Sequence, residues 1–365
     1  MKKILFSIVL VLLLCMPASM AGKTGREYVI GFYNVENLFD TVDNPHANDE
    51  DFLPEGKNNW TEDKYRIKLH NISTVIKAMA DANGKFHSVL GLAEVENAQV
   101  LKDLVAQPEI SKTGYRYVHR DSPDPRGIDV AFLYNPRDFK YLDSEIIPFS
   151  FDKDANIKID ISEADKRSFR TRDILMVHGK IAGEDFAFYV THMPSRIGGK
   201  GTDTRCIGAD IIYRHSQKMQ KKYPGIKIVV MGDMNDDPID ESQTRWLHAK
   251  ASIEETGAKD FFCPFTRLLR EGNGSLEYQG KWNIFDIIEV NSNLASPDSK
   301  GLKIKPVDAK GHYGKVFKPA FLTQQSGRYK GTPFRSFSNG KFINGYSDHY
   351  PTYIIIGTLV SKENF

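Results

Sequence analysis

The protein has 365 residues, of which 41% are hydrophobic and 26% are charged. This balance excludes an intrinsically disordered chain and provides enough apolar surface for a substantial core. The 49 basic and 47 acidic side chains leave a formal net charge of +2, which excludes a strong overall attraction to polyphosphates but not a local basic groove.

Residues 1–21, MKKILFSIVLVLLLCMPASMA, have the pattern of a secretory signal peptide. Two lysines precede an apolar stretch that ends at Cys15, and Ser19 and Ala21 provide small residues for cleavage. The apolar stretch is too short for a comfortable membrane span. Lipidation of Cys15 is disfavoured because the bulky Leu14 precedes it. We therefore expect an exported protein, periplasmic or extracellular, without a transmembrane segment in the mature chain.

The mature chain, residues 22–365, is expected to form a single domain because no linker divides it. Removing Lys2 and Lys3 from the 49 basic residues leaves 47, against 47 acidic residues, so the mature chain is close to neutral. Export permits a disulfide between Cys206 and Cys263, but two cysteines do not establish one. Two cysteines also cannot form a cysteine-rich zinc site on their own.

Short apolar runs recur along the chain, and most of them end in a polar cluster. Each run predicts a buried strand. In chain order they are 28–33 before Asn34, 89–93 before Glu94, 128–134, DFAFYVTH ending at His192, IKIVVMGD ending at Asp233, and KWNIFDIIEV, which contains Asp286. In SDHYPTYIIIGTL the polar cluster comes first and the strand follows.

Apolar residues at helical spacing predict helices over 61–80 and 203–223. Strands with two apolar faces, interleaved with helices, favour sheets that are covered by helices. The polar stretches 151–168 and 292–315 predict surface insertions or hairpins.

Carboxylate, amide and imidazole groups lie at the ends of several predicted strands. Turn capping explains any one such residue, but their repetition on different strands favours a shared site. Asp233 and Asn235 are two residues apart and would point to the same side of an extended chain. The set contains Asn34, Glu94, His192, Asp233, Asn235, Asp286, Asp348 and His349.

Oxygen ligands without cysteine suit a hard divalent cation, Mg²⁺ foremost, with Mn²⁺ or Ca²⁺ as alternatives. Such a cation neutralises a phosphoryl group and lowers the pKa of a bound water. The guanidinium of Arg126 has the fork geometry that clamps a phosphate. The residues therefore favour a hydrolytic metal site that acts on phosphate.

Seven motifs, in order and across nearly the whole mature chain, resemble the endonuclease/exonuclease/phosphatase superfamily, which includes deoxyribonuclease I. They are FYNVENLF, LAEVEN, RGIDVAFLY, THMPSRIGG, GDMND, WNIFDIIEV and YSDHYP. The resemblance implies an α+β fold of the deoxyribonuclease I type. That fold is a four-layer α/β sandwich in which helices flank two packed, mostly antiparallel β-sheets.

The resemblance also implies roles for single residues. Metal binding is implied for Glu94, with Asn34 and Asp348 contributing. Catalytic roles are implied for Asp233, which orients or deprotonates the attacking water, and for Asn235, His349, Asp286 and His192. Phosphate contacts are implied for Arg126, Asn235 and His192.

Glu36 and Glu96 each lie two residues from a predicted site residue. Each could share the face of that residue and touch the metal, or could be solvated or hydrogen-bonded within its turn. Asp129 is expected to hold a structural hydrogen bond within its strand. Ser195 and Arg196 are expected to shape the pocket, with a tight turn at Gly198 and Gly199.

Three functions remain open at this point. The first is a secreted, Mg²⁺-dependent nuclease-like phosphodiesterase with nucleic acid as its partner. The second is a phosphatase or phospholipase C-like enzyme that acts on inositol phosphates or sphingomyelin-type headgroups, and insertions at 43–59 and 292–313 could close its pocket or touch a membrane. The third, a non-catalytic binding module, is disfavoured because every main motif position is present. The sequence does not indicate the oligomeric state.

Overall fold

The structure is a computed structural model that describes residues 25–151, 157, 162–196, 201–338 and 340–358. The predicted signal peptide, Gly198 and Gly199 lie outside the described residues. The strands are β1 Glu27–Leu38, β2 Val89–Val95, β3 Arg116–His119, β4 Asp129–Tyr134, β5 Phe139–Ile147, β6 Ile174–Ile181, β7 Glu184–His192, β8 Lys227–Asp233, β9 Ala249–Lys250, β10 Phe261–Phe262, β11 Leu276–Tyr278, β12 Lys281–Asn283, β13 Asp286–Asn291, β14 Leu302–Lys305, β15 Gly314–Val316, β16 Phe337–Ser338, β17 Lys341–Phe342 and β18 Thr352–Thr358.

The helices differ widely in length. The α-helices are α1 Glu62–Asn83, α2 Ala98–Val105, α3 Glu163–Ser168, α4 Thr202–Lys222, α5 Phe265–Arg270 and α6 Ser292–Ala295. Short 3-10 turns lie at Glu50–Phe52, Ser111–Thr113 and Ala320–Leu322, and a π-helical turn lies at Ser242–Trp246. α1 begins directly after Thr61 and ends at Gly84, whose left-handed conformation closes the last turn.

Within the described residues, two seven-stranded sheets form the centre of the protein. The first has the order β14-β18-β1-β2-β4-β3, with β15 also paired to β18. The second has the order β5-β6-β7-β8-β13-β10-β9. The pairs β1/β2, β7/β8 and β9/β10 are parallel and the other pairs in these sheets are antiparallel. The predicted pair of mostly antiparallel sheets is therefore confirmed.

The two sheets pack face to face through β1, β2 and β4 on one side and β7, β8 and β13 on the other. Their central strands are buried on both faces because helices cover the outside, as α1 covers β1. The sheets approach closely at Gly91, where an added Cβ would lie 2.6 Å from the Met231 sulfur. Such contacts produce one continuous apolar core between the sheets.

The structure differs from the sequence-based predictions at two places. The segment KWNIFDIIEV is two strands rather than one, because Ile284 turns its N–H to the Asp237 carboxylate at 2.8 Å. The stretch 292–315 is not merely a surface insertion, since it contributes β14 and β15 to the first sheet. Leu302 and Ile304 are buried there against β18, which gives the stretch its place in the core.

Cys206 and Cys263 are both buried free thiols, so the disulfide that export would permit is not formed. Across the described part of the chain, no helix combines the length and apolar character that a membrane crossing requires.

Candidate active site

The predicted site residues meet at one edge of the sandwich because of the strand directions. Parallel strands β1 and β2 end there, and so do the parallel strands β7 and β8, with His192 level with Asp233. Strands β13 and β18 run antiparallel to their neighbours and begin at the same edge, so Asp286 lies level with Asp233. We call the residues gathered here the strand-end cluster: Asn34, Glu94, His192, Asp233, Asn235, Asp286, Asp348 and His349.

Asn34 joins two carboxylates of the strand-end cluster. Its Nδ2 donates to Asp233 Oδ2 at 3.0 Å and to Glu94 Oε1 at 3.4 Å. Its Oδ1 accepts from the N–H of Glu36 at 3.0 Å and keeps one lone pair for a further partner. Asn34 is fully buried, so it fixes the separation of Asp233 and Glu94.

Asp233 lies at the centre of the strand-end cluster. Its Oδ1 accepts from the N–H of Asn235 at 3.0 Å, and its Oδ2 is 3.6 Å from His192 Nε2 and 3.8 Å from His349 Nε2. Burial raises the pKa of Asp233 to about 6, with His349 opposing the rise and Asp286 adding to it. A carboxyl group with such a pKa can exchange a proton near neutral pH.

Asp286 and His349 form a close buried pair. His349 Nδ1 lies 2.7 Å from Asp286 Oδ2, and the N–H of His349 donates to the Ser347 hydroxyl at 3.1 Å. Burial alone would lower the pKa of His349, but the carboxylates of Asp286 and Asp233 outweigh burial and raise it well above its ordinary value. The two carboxylates therefore favour the imidazolium form of His349, whose Nε2 lies 3.8 Å from Asp233 Oδ2.

His192 is held in the opposite protonation state. Burial lowers its pKa well below the ordinary value, and the positive charges of Arg172 and Arg126 add to this effect. Its Nδ1 has no hydrogen-bond partner in the described part of the chain. Its Nε2 is 4.0 Å from Glu94 Oε1. The strand-end cluster thus contains one cationic and one neutral imidazole.

Arg172 is a residue that the sequence analysis missed. It lies just before β6, and its guanidinium donates to His192 O at 3.1 Å, to Met193 O at 2.8 Å and to Asp124 Oδ2 at 2.9 Å. Asp124 also lies 3.6 Å from Arg126 Nε, so one carboxylate connects both arginines. No motif signals Arg172, because its contacts come from distant parts of the chain.

Arg126 is the one predicted site residue without a direct contact to the strand-end cluster among the described residues. Its side chain is 51% exposed, and its N–H donates to Asp124 Oδ1 at 2.9 Å. Its charge nevertheless reaches His192 electrostatically. Arg126 therefore lies at the rim of the site, with its half-exposed guanidinium near Asp124.

The oxygen-rich chemistry of the strand-end cluster fits a hard divalent cation. Glu94 and Asp348 keep partly exposed carboxylates, with 14% and 33% of their side chains accessible. Both act electrostatically on the same buried lysine, Lys68, which places them in one neighbourhood. Asp233, Asp286 and His349 also have donor atoms close enough to share an ion. We favour Glu94 and Asp348 as the metal ligands. In the alternative group of Asp233, Asp286 and His349, the contact between His349 and Asp286 already engages two of the three side chains.

Lys68 is a second residue that the sequence analysis missed. It is fully buried, and its Nζ donates to Ser336 Oγ at 2.5 Å and to Tyr346 O at 2.8 Å and lies 4.0 Å from Glu36 Oε2. Glu36 also accepts from the N–H of Ser336 at 2.6 Å. Burial and the charge of Asp348 raise the pKa of Glu36 to about 7. These bonds join β1 and α1 to the segment that leads to His349.

Glu96 and Asp129 have structural partners. Glu96 is buried and accepts from the N–H of Asp40 at 2.7 Å, which favours its hydrogen-bonded role over contact with a metal. Asp129 accepts from the N–H of Ser122 at 2.9 Å and lies 3.2 Å from His119 Nε2. Asp129 thus has a structural role as expected, but the expectation that its bond lies within its own strand was wrong, because Ser122 lies in the preceding loop and His119 on β3.

Fold and site together define a phosphate-ester hydrolase class. The model of the Endonuclease/Exonuclease/phosphatase family matches residues 29–358, so the chain belongs to this family, whose members hydrolyse phosphate esters. No curated protein sequence matches the chain.

Several solved structures resemble the fold. An endonuclease/exonuclease/phosphatase family protein from Bacteroides thetaiotaomicron has a TM-score of 0.54 and 16% identity, covering 92% of this chain and 100% of its own. A mannosyl-6-phosphatase from the same species has a TM-score of 0.53 and 17% identity, covering 91% of this chain and 100% of its own. D. rerio TDP2 complexed with single-strand DNA product has a TM-score of 0.51 and 13% identity, covering 91% of this chain and 99% of its own. At these identities the likeness concerns the fold alone.

Proposed function

We propose that the protein is an exported, divalent-metal-dependent phosphodiesterase of the nuclease type. The observation that carries this proposal is the arrangement around Asp233. A buried carboxyl group with a pKa of about 6 has a neutral imidazole at 3.6 Å on one side and a cationic imidazole at 3.8 Å on the other. Such a set can take a proton from water and stabilise negative charge on a phosphoryl group.

Asp233 is the proposed general base. The donors at Asn34 Nδ2 and Asn235 N, each at 3.0 Å, fix the orientation of its carboxylate. Its pKa of about 6 keeps it mostly ionised at neutral pH, yet basic enough to accept a proton in the transition state. The fixed orientation lowers the entropic cost of placing the attacking water.

His349 is the proposed stabiliser of the charge that develops on the phosphoryl oxygens. Its contact with Asp286 at 2.7 Å holds Nδ1 and directs Nε2 into the site. A preorganised cation in a buried site stabilises a developing anion more strongly than water does. Asp286 is then a positioning residue that maintains the imidazolium.

His192, Asn235 and Arg126 are the proposed phosphate contacts. Asn235 Nδ2 donates to Met193 O at 2.9 Å and keeps a second N–H for a phosphate oxygen. The neutral His192 can donate one hydrogen bond from whichever ring nitrogen carries the proton. Arg126 at the rim supplies the fork that clamps a phosphate.

Glu94 and Asp348, with the Oδ1 of Asn34, would hold the divalent cation. When bound, such a cation neutralises phosphoryl charge and lowers the pKa of a bound water. The all-oxygen ligand set supports a hard divalent cation, and Mg²⁺, with Mn²⁺ or Ca²⁺ as alternatives, is part of the proposal.

A phosphatase acting on small phosphate esters is the second candidate. The near neutrality of the mature chain, with 47 basic and 47 acidic residues, favours it over a polymer-cutting enzyme. A lipid-directed enzyme has less support, because Phe52 in the insertion 43–59 packs on Phe39 at 4.3 Å rather than facing solvent. Structures of similar fold include both a sugar phosphatase and a DNA-processing protein, so the fold does not choose between the candidates.

A substrate panel tests the proposal. Mature protein, residues 22–365, is assayed with and without chelator against plasmid DNA, RNA, bis-p-nitrophenyl phosphate, p-nitrophenyl phosphate, inositol phosphates and sphingomyelin. Chelator-sensitive cleavage of polymer and diester is the expected result. Turnover of monoesters alone would replace the diesterase with the phosphatase, and no turnover of any ester would refute both.

The metal assignment has its own test. Glu94→Gln is expected to shift the Mg²⁺ concentration for half-maximal activity upward by about tenfold or more, because a carboxylate ligand is lost. Asp121→Asn is the matched control. Asp121 is an exposed acid that could share an ion with His119 and Asp129, a group separate from the strand-end cluster, so its loss should leave the Mg²⁺ titration unchanged. An unchanged Mg²⁺ titration of Glu94→Gln would exclude Glu94 as a ligand.

A further inference from the structure

A small pocket of about 210 Å³ lies in the segment that precedes His349. Its wall combines two arginines with hydroxyl and amide groups and one aromatic ring. We call it the arginine pocket, and the residues that matter in it are Gln324, Ser326, Arg328, Tyr329, Arg335 and Ser338.

Both guanidinium groups of the arginine pocket lie against the same ring. The Cζ atoms of Arg328 and Arg335 are each 5.7 Å from the centroid of the Tyr329 ring. Arg328 is exposed and Arg335 is half-buried. Both arginines line the same small volume beside this ring, so the arginine pocket carries two positive charges that favour an anionic ligand.

In the described part of the chain, neither arginine forms a close ion pair with a carboxylate. Among the described residues, no carboxylate oxygen lies within 4.0 Å of the guanidinium nitrogens of Arg328 or Arg335. By contrast, Arg172, Arg196 and Arg245 all have carboxylates within this distance. Two guanidinium groups without a close carboxylate, together with neighbouring hydroxyls, supply the charge and the hydrogen-bond donors that suit a phosphate.

The backbone of the arginine pocket is fixed on both sides of Arg335. Phe334 donates its N–H to Leu322 O at 2.7 Å, and Ile343 donates to Ser336 O at 2.8 Å. Gly345 packs so closely that an added Cβ would lie 1.9 Å from Arg335 O. This backbone holds Arg335 in place before any ligand arrives, which lowers the entropic cost of binding.

The same segment is connected to the strand-end cluster through Glu36. The N–H of Ser336, the residue after Arg335, donates to Glu36 Oε2 at 2.6 Å, and the N–H of Glu36 donates to Asn34 Oδ1 at 3.0 Å. Arg335 also acts electrostatically on Glu36. Two hydrogen bonds thus link the arginine pocket to the proposed metal site.

We propose that the arginine pocket binds a second phosphate group of the substrate, which is not the one hydrolysed. This inference rests on the proposed function and specifies its substrate class as an ester with two phosphates. The second phosphate belongs either to a small bisphosphate or to the neighbouring nucleotide of a chain. Both sources present the same tetrahedral dianionic or monoanionic group to the two guanidiniums.

Two substrate pairs that differ by one phosphate test the proposal. The pairs are glucose 6-phosphate with glucose 1,6-bisphosphate, and thymidylyl-thymidine with its 5′-phosphorylated form. For the doubly phosphorylated member, Arg328→Gln and Arg335→Gln are each expected to raise KM about tenfold, because a charge-assisted contact is lost. The kcat for the doubly phosphorylated member should be unchanged. Both KM and kcat for the singly phosphorylated member should also be unchanged.

Lys330→Gln is the matched control, because it removes the same charge from the same loop outside the pocket wall. Circular dichroism checks that each variant is folded. If the arginine variants lose the KM difference between the two glucose phosphates, the second phosphate belongs to a small bisphosphate. If they lose the KM difference between the two dinucleotides, it belongs to a nucleotide chain. Unchanged KM ratios in both pairs for both arginine variants would overturn the proposal.

Calorimetry measures phosphate binding without hydrolysis, so it tests the arginine pocket independently of the proposed function. Pyrophosphate is titrated into wild type and variants in the presence of EDTA. We expect binding by wild type and Lys330→Gln, and binding about tenfold weaker in each arginine variant. Equal binding by all four proteins, or binding by none, would contradict the arginine pocket even if the panel of esters shows hydrolysis.

Discussion

Asn34 shows how much one residue can determine in this molecule. A single amide holds the carboxylates of Asp233 and Glu94, and its carbonyl accepts from the N–H of Glu36. The sequence placed Asn34 among the site residues because it ends a predicted strand. The two carboxylates it joins are 60 and 199 residues away, so no local pattern specifies these bonds.

Lys68 is a residue that the sequence could have revealed. Tyr65, Leu69 and Ile72 define the apolar face of α1, and Lys68 lies on that same face. A lysine on a buried helical face requires a polar partner, which is a usable signal. Its partners Ser336 and Tyr346 lie at distant positions in the chain and could not be named in advance.

Glu289 gives a prediction about stability and pH. It is fully buried on β13 beside the Cys263 thiol, and no other hydrogen-bond partner of its carboxyl group is found among the described residues. Burial raises its pKa from 4.5 to about 8. The folded state therefore holds this proton more tightly than the unfolded state, and its contribution to stability falls as the pH rises from about 4.5 to about 8.

Glu289→Gln is expected to remove this pH-dependent cost. The difference in unfolding free energy between variant and wild type should grow by about 1.4 kcal/mol per pH unit across that window. At pH 7 the variant should be more stable than wild type by about 3 kcal/mol. Urea unfolding at pH 5, 6, 7 and 8 measures the difference, and a constant difference at all four values would show that Glu289 titrates normally.

At the level of elements, the site depends on two of the three parallel strand pairs that the described residues form in these mostly antiparallel sheets. β1 with β2, and β7 with β8, bring four strand ends to one edge. The apolar runs in the sequence predicted these strands. The hydrophobic period and the length of a run do not reveal which strands pair. β14 and β15 escaped prediction because they are short and lie within polar sequence, and their pairing with β18 is a tertiary property.

Gly232 tests the register between β7 and β8. A Cβ at this position would lie 2.2 Å from the backbone oxygen of Thr191, which cannot move without separating the strands. Gly232→Ala is expected to lower the unfolding free energy by about 1–3 kcal/mol and to reduce turnover, because His192 and Asp233 lose their alignment.

Gly91→Ala is the control for this effect. Its Cβ would meet the flexible Met231 side chain at 2.6 Å rather than a backbone atom. Urea unfolding and the rate of ester hydrolysis should both show a smaller loss for Gly91→Ala. A larger loss at Gly91 than at Gly232 would mean that the β7/β8 register is not the constraint.

At the scale of the whole molecule, the order of the motifs along the chain was sufficient to predict the family and the two-sheet architecture. The apolar runs fix the strands of the core, and their polar ends fix which residues approach the site. The arginine pocket could not be predicted, because Arg328 and Arg335 belong to no motif and meet only through the folding of 322–346.

The charge of the whole molecule bears on the choice of substrate. With 47 basic and 47 acidic residues in the mature chain, binding of an anionic substrate depends on local groups such as Arg126 and the arginine pocket. Under the proposed nuclease-type function, these few local cations supply the attraction for the phosphates of the substrate, because the molecule as a whole supplies none.

The most direct test of the account compares two buried histidines. His349 lies 2.7 Å from Asp286 within the strand-end cluster, whereas His312 lies 2.8 Å from both Asp308 and Glu271 outside it. Each is changed to alanine, and chelator-sensitive hydrolysis of the best ester in the panel is measured on folded protein. We predict a loss of about two or more orders of magnitude for His349→Ala and near wild-type turnover for His312→Ala. Near wild-type turnover in His349→Ala would contradict the assignment of this edge of the sandwich as the catalytic site.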